Sequence, residues 1–197
     1  MERAVKRNSL TLMPRILVPT AALAAAAATL LACAPAAHAA SADATLTGGS
    51  LSFPAPANLT FPPVTLDGTN KTTSQSQAMS VNDARGTGVG WNVTATSTTF
   101  TSGGNSLPTS ATTVAGAPST ACSGGATCVA AAPAGITYPY TLPAAAVAPI
   151  ATKLFNASAN TGLGSQTFTP SWTLNVPASA LAGTYTSTWT FSIISGP

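Results

Sequence analysis

The sequence AGTYTSTWTFSIISGP, residues 182–197, decides the fold class of this chain. Its apolar residues occupy odd positions and its hydroxyl residues occupy even ones: Tyr185, Trp189, Phe191 and Ile193, against Thr184, Thr186, Thr188, Thr190 and Ser192. A period of two is typical of a β-strand with one apolar face and one polar face. Residues 89–95 and 168–176 follow the same pattern, and each of the three stretches carries one of the chain's three tryptophans. These patterns predict an all-β protein.

The rest of the sequence is divided into short strand patterns by glycine, proline and polar turn signals such as Asp67-Gly68-Thr69-Asn70. The additional predicted strands cover residues 45–53, 59–61, 64–66, 73–81 and 136–142. Residues 101–136 have no sustained period and predict long surface loops with a hairpin near residues 111–114. Residues 155–164 predict another loop, and residues 144–151 are the one stretch that could form a short, proline-confined helix.

About eight to ten strands in one domain, without helical periodicity, predict a sandwich or a barrel. We favour a single-domain antiparallel β-sandwich with long loops rich in serine, glycine, alanine and proline. The reason is that the first and last strand patterns are both apolar, and a core between two sheets would use both.

The N-terminal residues form a leader that precedes this fold. Basic residues up to Arg15 are followed by an apolar run over residues 16–32 and by Ala37-His38-Ala39, a small-x-small cleavage signal. We therefore predict a secretory signal peptide of residues 1–39 and a mature domain of residues 40–197 without a transmembrane segment. The alternative is a lipoprotein, because Leu30-Leu31-Ala32-Cys33 resembles a lipobox. Cleavage before Cys33 would place the protein on the outer face of the cytoplasmic membrane.

The charges of the predicted mature chain cancel. They are Lys71, Arg85 and Lys153 against Asp43, Asp67 and Asp83. Binding to nucleic acid or to an anionic membrane needs clustered lysine and arginine, so we expect neither partner. The single histidine, His38, and the single glutamate, Glu2, both lie in the leader. Without a histidine base or a His/Cys/Glu cluster, we expect no catalytic residues, no metal and no cofactor, and therefore a protein that is not an enzyme.

Cys122 and Cys128 are the only cysteines of the mature chain. In an exported protein an even number of cysteines predicts a disulfide, here one that closes a small loop. A redox-active pair is the less favoured interpretation, because the spacing is wider than C-x-x-C and no basic residue lies nearby to lower a thiol pKa.

Three segments carry a resemblance to a known family. DARGTGVGWNV (residues 83–93) and NVPASALAGTYTSTWTFSIISGP (residues 175–197) resemble the two signatures of the WxL domain, a cell-surface module of Gram-positive bacteria. The opening GSLSFPAPANLTFPPVTL (residues 49–66) is similar to that family in pattern and place. Neither tryptophan triplet ends in leucine: one reads Trp91-Asn92-Val93 and the other Trp189-Thr190-Phe191. Trp172-Thr173-Leu174 spells the triplet but precedes the closing signature, and we interpret it as coincidence.

The resemblance implies a secreted protein held non-covalently on the cell wall, with peptidoglycan as the ligand. The hypothetical ligand-binding residues are Asp83, Arg85, Trp91, Tyr185 and Trp189. Each has a second interpretation. The tryptophans and the tyrosine fit a core position as well as a ligand platform, and Asp83 and Arg85 fit a turn-stabilising ion pair as well as a polar grip on a ligand.

Two classes of function follow from the sequence. One is a wall-binding module. The other is a structural or adhesive surface subunit that assembles with itself or with another surface protein, either free or lipid-anchored at Cys33.

Overall fold

The structure, a computed structural model, describes residues 38–125 and 127–197, and residues 44–197 form one packed unit. Almost all of the predicted signal peptide, including Cys33, lies outside the described residues. Cleavage after Ala39 therefore stays a prediction, and so does the lipoprotein alternative.

In the described part of the chain, every regular secondary-structure element is a β-strand. They are β1 (Leu51–Ser52), β2 (Lys71–Ser76), β3 (Met79–Asp83), β4 (Trp91–Thr98), β5 (Thr101–Ser102), β6 (Asn105–Ser106), β7 (Thr112–Val114), β8 (Ser119–Cys122), β9 (Tyr140–Thr141), β10 (Ala144–Ala145), β11 (Thr152–Ala157), β12 (Gly164–Thr169), β13 (Ser171–Val176) and β14 (Trp189–Ser195). The all-β prediction is confirmed. The strands outnumber the expected eight to ten because long strands are interrupted and very short ones form in the loops.

The first layer is built around the chain of β12 and β13. This chain pairs antiparallel with β2 and β3, and one register runs from Lys71 opposite Val176 to Asp83 opposite Gly164. The ladder is interrupted at Pro170, which accepts a hydrogen bond from the Gln77 N–H (3.1 Å) but has no N–H to return one. On its other side, β12 pairs with β8 and β13 pairs with β7. β1 lies outside β3, and β9 lies outside β7.

The second layer is built around β4. Along one edge β14 pairs antiparallel with it, from Trp189 opposite Ser97 to Ser195 opposite Trp91. Along the other edge β11 pairs antiparallel with its first half, and β10 pairs parallel with Ser97 and Thr98. This parallel pair is the departure from the antiparallel arrangement that we predicted.

The two layers enclose a core of aromatic and aliphatic side chains, which makes the fold a β-sandwich. Trp91 and Phe155 come from the second layer and pack on Phe168 of the first, with ring centroids 4.8–6.4 Å apart. The Trp91 indole N–H donates to the Gly162 carbonyl (2.9 Å). Gly162 has φ 71°, and a Cβ there would stand 2.6 Å from the indole nitrogen, so this contact requires glycine.

Several local predictions were wrong for identifiable reasons. No helix forms over residues 144–151, where Ala144 and Ala145 extend the sheet as β10. Residues 155–157, predicted as loop, belong to β11, whose Leu154–Ala157 run is buried on both faces. A strand covered on both faces loses the alternation by which strands are recognised.

The opening segment and the loops also differ from the prediction. Of the strand predicted over residues 45–53 only Leu51 and Ser52 are paired, and residues 53–66 are irregular because prolines remove donors from a ladder. The region of residues 101–136 holds the β5–β6 hairpin and two strands of the first layer, and β7 pairs with β13 and β9 instead of forming a local hairpin. Cys122 and Cys128 are bonded, as predicted.

A salt bridge between Arg85 and Asp83 fixes the turn between β3 and β4. The guanidinium donates from Nε and Nη2 to the two carboxylate oxygens of Asp83, each at 2.8 Å. It also donates to the Gly90 carbonyl and to the Ser195 hydroxyl, so it joins this turn to the end of β14. The Asp83 side chain is 1% exposed and that of Arg85 15%. The hydrogen bonds from Arg85 hold the pKa of Asp83 below its ordinary value.

We predict that Arg85→Ala lowers the free energy of unfolding by about 3 kcal/mol, because it leaves the buried Asp83 carboxylate without its cationic partner. Arg85→Lys should recover only part of this loss, since an ammonium cannot reproduce the two-pronged contact. The measurement is chemical denaturation at neutral pH. The control is Lys71→Ala, which removes an exposed ion pair with Asp67 and should change little. Equal effects of Arg85→Ala and Lys71→Ala would contradict the structural role of Arg85.

The same ion pair predicts a pH dependence of stability. Because the folded-state pKa of Asp83 is lowered, its stabilising contribution is complete above its unfolded pKa of about 3.9 and is lost as the pH falls toward the folded value. Unfolding free energies measured between neutral pH and acid should therefore decline more steeply below about pH 4 in the natural protein than in Asp83→Asn. Identical acid profiles would show that Asp83 is not stabilised as a carboxylate.

Candidate functional site

An open cleft of about 1420 Å³ lies beside the start of β14. The irregular segment 53–66 forms one wall, and residues 180–191 form the other. Between them lie side chains of β13 and of the β5–β6 region, among them Leu174, Phe100 and Leu107. The volume exceeds the roughly 300–1,000 Å³ that is usual for pockets of small molecules, so the cleft is large enough for part of a polymer.

Three aromatic rings line the cleft as a triangle. The centroids of Phe61, Phe100 and Trp189 are 6.2–6.3 Å apart, and each pair of rings meets edge to face. Trp189 is supported from behind by the buried Trp172, with ring centroids 4.8 Å apart. All three rings are half-buried. They therefore present apolar surface from fixed positions.

The wall formed by residues 180–188 carries hydroxyl groups and is held by hydrogen bonds. The backbones of Thr186 and Thr101 exchange two hydrogen bonds of 2.9 Å, and the Ser187 hydroxyl donates to the Thr98 carbonyl. The Tyr185 hydroxyl donates to the Leu181 carbonyl (3.0 Å), which fixes its ring over the cleft. This wall thus combines an aromatic ring with threonine hydroxyls at set positions.

The described lining of the cleft includes no aspartate, glutamate, lysine, arginine or histidine. Among residues 38–125 and 127–197, no group of three histidine, cysteine, aspartate or glutamate side chains is placed to hold a metal ion. The chemistry that the cleft offers is stacking on aromatic rings and hydrogen bonding to neutral groups.

The structure divides the five predicted site residues among three places. Trp189 and Tyr185 line the cleft. Asp83 and Arg85 form the salt bridge at the opposite end of β14, and Trp91 is 0% exposed in the core, where the second interpretation of this residue puts it. The two signature segments meet because β4 and β14 pair antiparallel, which places their tryptophans at opposite ends of the pair.

Sequence reasoning missed two of the three rings of the triangle, Phe61 and Phe100. Phe61 lies in the short strand predicted over residues 59–61, which the structure does not form, and Phe100 lies just after β4, so neither belongs to a long alternating pattern. Only their common similarity to Trp189 in side-chain type could have suggested a shared role. Trp172, whose triplet we interpreted as coincidence, supports the cleft from within the core.

No helix among the described residues is long and apolar enough to cross a membrane.

Comparison with protein-family models matches residues 35–197 to the model described as "WxL domain surface cell wall-binding". No curated protein and no solved structure matches the chain. The matched range includes both signature segments and all the strands of the sandwich. The chain therefore belongs to the WxL family of surface domains that bind the cell wall.

Proposed function

We propose that this chain is an exported, non-catalytic protein that attaches non-covalently to peptidoglycan through the cleft beside Trp189. The observation that carries this proposal is the triangle of Phe61, Phe100 and Trp189, which lines the cleft at the start of β14. Sugar rings present apolar C–H faces and hydroxyl groups, and proteins bind them with aromatic faces and neutral hydrogen-bonding groups. Family membership supplies the cell wall as the partner.

The salt bridge is a weaker candidate for the contact with the wall. Arg85 uses four of its five N–H donors on Asp83, Gly90 and Ser195, so little of its hydrogen-bonding capacity remains for a ligand. Trp91 has no exposed surface. In our proposal Asp83, Arg85 and Trp91 support the fold, and Tyr185 and Trp189 remain contact residues.

The proposal includes export by the signal peptide of residues 1–39 and retention without a lipid. Its alternative is cleavage before Cys33, which would add a lipid anchor to the same wall-binding domain. Sequencing the N-terminus of the exported protein distinguishes the two.

We predict that residues 40–197 alone sediment with purified peptidoglycan. Because the formal charges of this range cancel, binding should change less than about twofold between 0.1 and 1 M salt, over which the Debye length falls from about 10 to about 3 Å. A basic protein of similar size, bound only by charge, is the control and should be released. Absence from the pellet, or release by salt, would refute the proposed mode of attachment.

We predict that Tyr185→Ala weakens binding to peptidoglycan about tenfold, which corresponds to about 1.4 kcal/mol and to the loss of one aromatic contact. The matched control is Tyr138→Ala. Tyr138 is also half-buried and also donates its hydroxyl to a backbone carbonyl, that of Leu154 (2.8 Å), but it lies outside the cleft. Thermal melting should show that both variants fold. Equal losses of binding would place the contact elsewhere.

A further inference from the structure

The outer edge of β14 is open. In the described structure β14 pairs with β4 along one side only. The Thr188 carbonyl accepts a hydrogen bond from the Thr98 N–H, and the Gly196 N–H donates to the Gly90 carbonyl. The backbone N–H and C=O groups of the even-numbered residues of β14 therefore point toward β4. In an antiparallel ladder the residues between them direct their N–H and C=O groups to the other side. The outward groups belong to Trp189, Phe191, Ile193 and Ser195.

This edge has none of the usual protection against pairing with another strand. Natural edge strands commonly carry lysine, proline, inward-pointing charges or a bulge. The sequence of β14, WTFSIIS, contains no charged residue and no proline, and its register with β4 runs without a shift from Trp189 to Ser195. The sequence and register of β14 therefore do not prevent another strand from pairing with this edge.

The cleft provides room beside the first part of this edge. Trp189 and Phe191 line it on one side and segment 53–66 on the other. Among the described residues, that segment is held by two hydrogen bonds: one from the Gln77 amide to the Ala57 carbonyl (2.7 Å), and one from the Thr73 hydroxyl to the Pro62 carbonyl (3.0 Å). Neither bond involves β14, so the outward backbone groups of the edge stay available.

Among the described residues, a segment ahead of β1 has a strand pattern but pairs with no strand. The alternation of residues 45–53 predicts a strand, but in the structure only Leu51 and Ser52 form one. Residues 44–47 are exposed, and Leu46 is 91% exposed. The chain is fixed just after them, where the Gly49 N–H donates to the Ala84 carbonyl (2.8 Å) and a Cβ on Gly48 would collide with the Arg85 carbonyl oxygen.

We infer that the open edge of β14 accepts residues 44–47 of a second copy as an added strand, with Leu46 entering the cleft. Neither this segment nor the described cleft lining has a charged residue. The pairing therefore buries no charge without a partner. Backbone hydrogen bonds would supply the pairing, and the apolar cleft would select the leucine. Reciprocal exchange gives a two-fold dimer, and one-way exchange gives a chain of copies.

This inference goes beyond wall attachment and corresponds to the second class of function, a subunit that assembles with itself. It also relates the two activities, since the strand and the wall ligand would occupy the same end of the cleft. Assembly and attachment through one cleft then compete.

The first test is sedimentation equilibrium of residues 40–197 over a range of concentrations. The protein should associate as its concentration rises, and Leu46→Lys should weaken association at least tenfold, because a lysine would carry a charge into the neutral cleft. The matched control is Ile150→Lys, since Ile150 is 90% exposed and does not line the cleft. A protein that is monomeric at all concentrations, or equal effects of the two variants, would overturn the inference.

The second test is disulfide trapping between two differently substituted copies. Thr45→Cys in one copy should cross-link to Ser192→Cys in the other, because side chains opposite each other on adjacent strands stand about 5 Å apart. Ser80→Cys, which is exposed on β3, is the control acceptor and should stay uncross-linked. A bond that forms only within a chain carrying both substitutions would show that the segment closes on its own edge, and would also overturn the inference. Peptidoglycan sedimentation of Leu46→Lys separates this result from wall attachment, which this variant should retain.

Discussion

The antiparallel pairing of β4 with β14 is the interaction on which the rest of the sandwich depends. It completes the second layer, brings the two signature segments together and sets Trp189 against Trp172 of the opposite layer. At its far end the Arg85 guanidinium joins the turn before β4 to Ser195. The partners are far apart in sequence, so the pairing closes a long loop and its entropic cost must be met before these contacts stabilise the fold. We expect it to form late in folding.

The parts of the fold that follow from local pattern could be predicted from the sequence, and the others could not. β13 and β14 were recognised because each buries mainly one face, which produces alternation. β4 was recognised because apolar Trp91, Val93 and Ala95 alternate with polar residues, although both of its faces are largely buried. β11 is buried on both faces along residues 154–157, so its sequence shows no alternation of apolar and polar residues. β10 is a strand only because Ala144 and Ala145 pair with Ser97 and Thr98. Tertiary contacts, which a local pattern does not contain, determine both strands.

The candidate site shows the same division. A turn-stabilising ion pair was one of the two interpretations of Asp83 and Arg85, and the structure joins them in a salt bridge. The contact of Phe61 with Phe100 and Trp189 depends on how segment 53–66 packs, and that segment has few backbone constraints of its own. The cleft could therefore be anticipated at Trp189 and Tyr185 but not on its opposite wall.

The unequal burial of the three tryptophans gives this domain an internal optical probe. Trp91 and Trp172 are fully buried, whereas Trp189 is half-buried in the cleft wall. A dissolved collisional quencher would therefore reduce the fluorescence of Trp189 and leave that of the two buried tryptophans largely unaffected. Any occupant of the cleft, whether sugar or peptide, would shield that indole, so the natural chain reports occupancy by its own fluorescence without an attached dye.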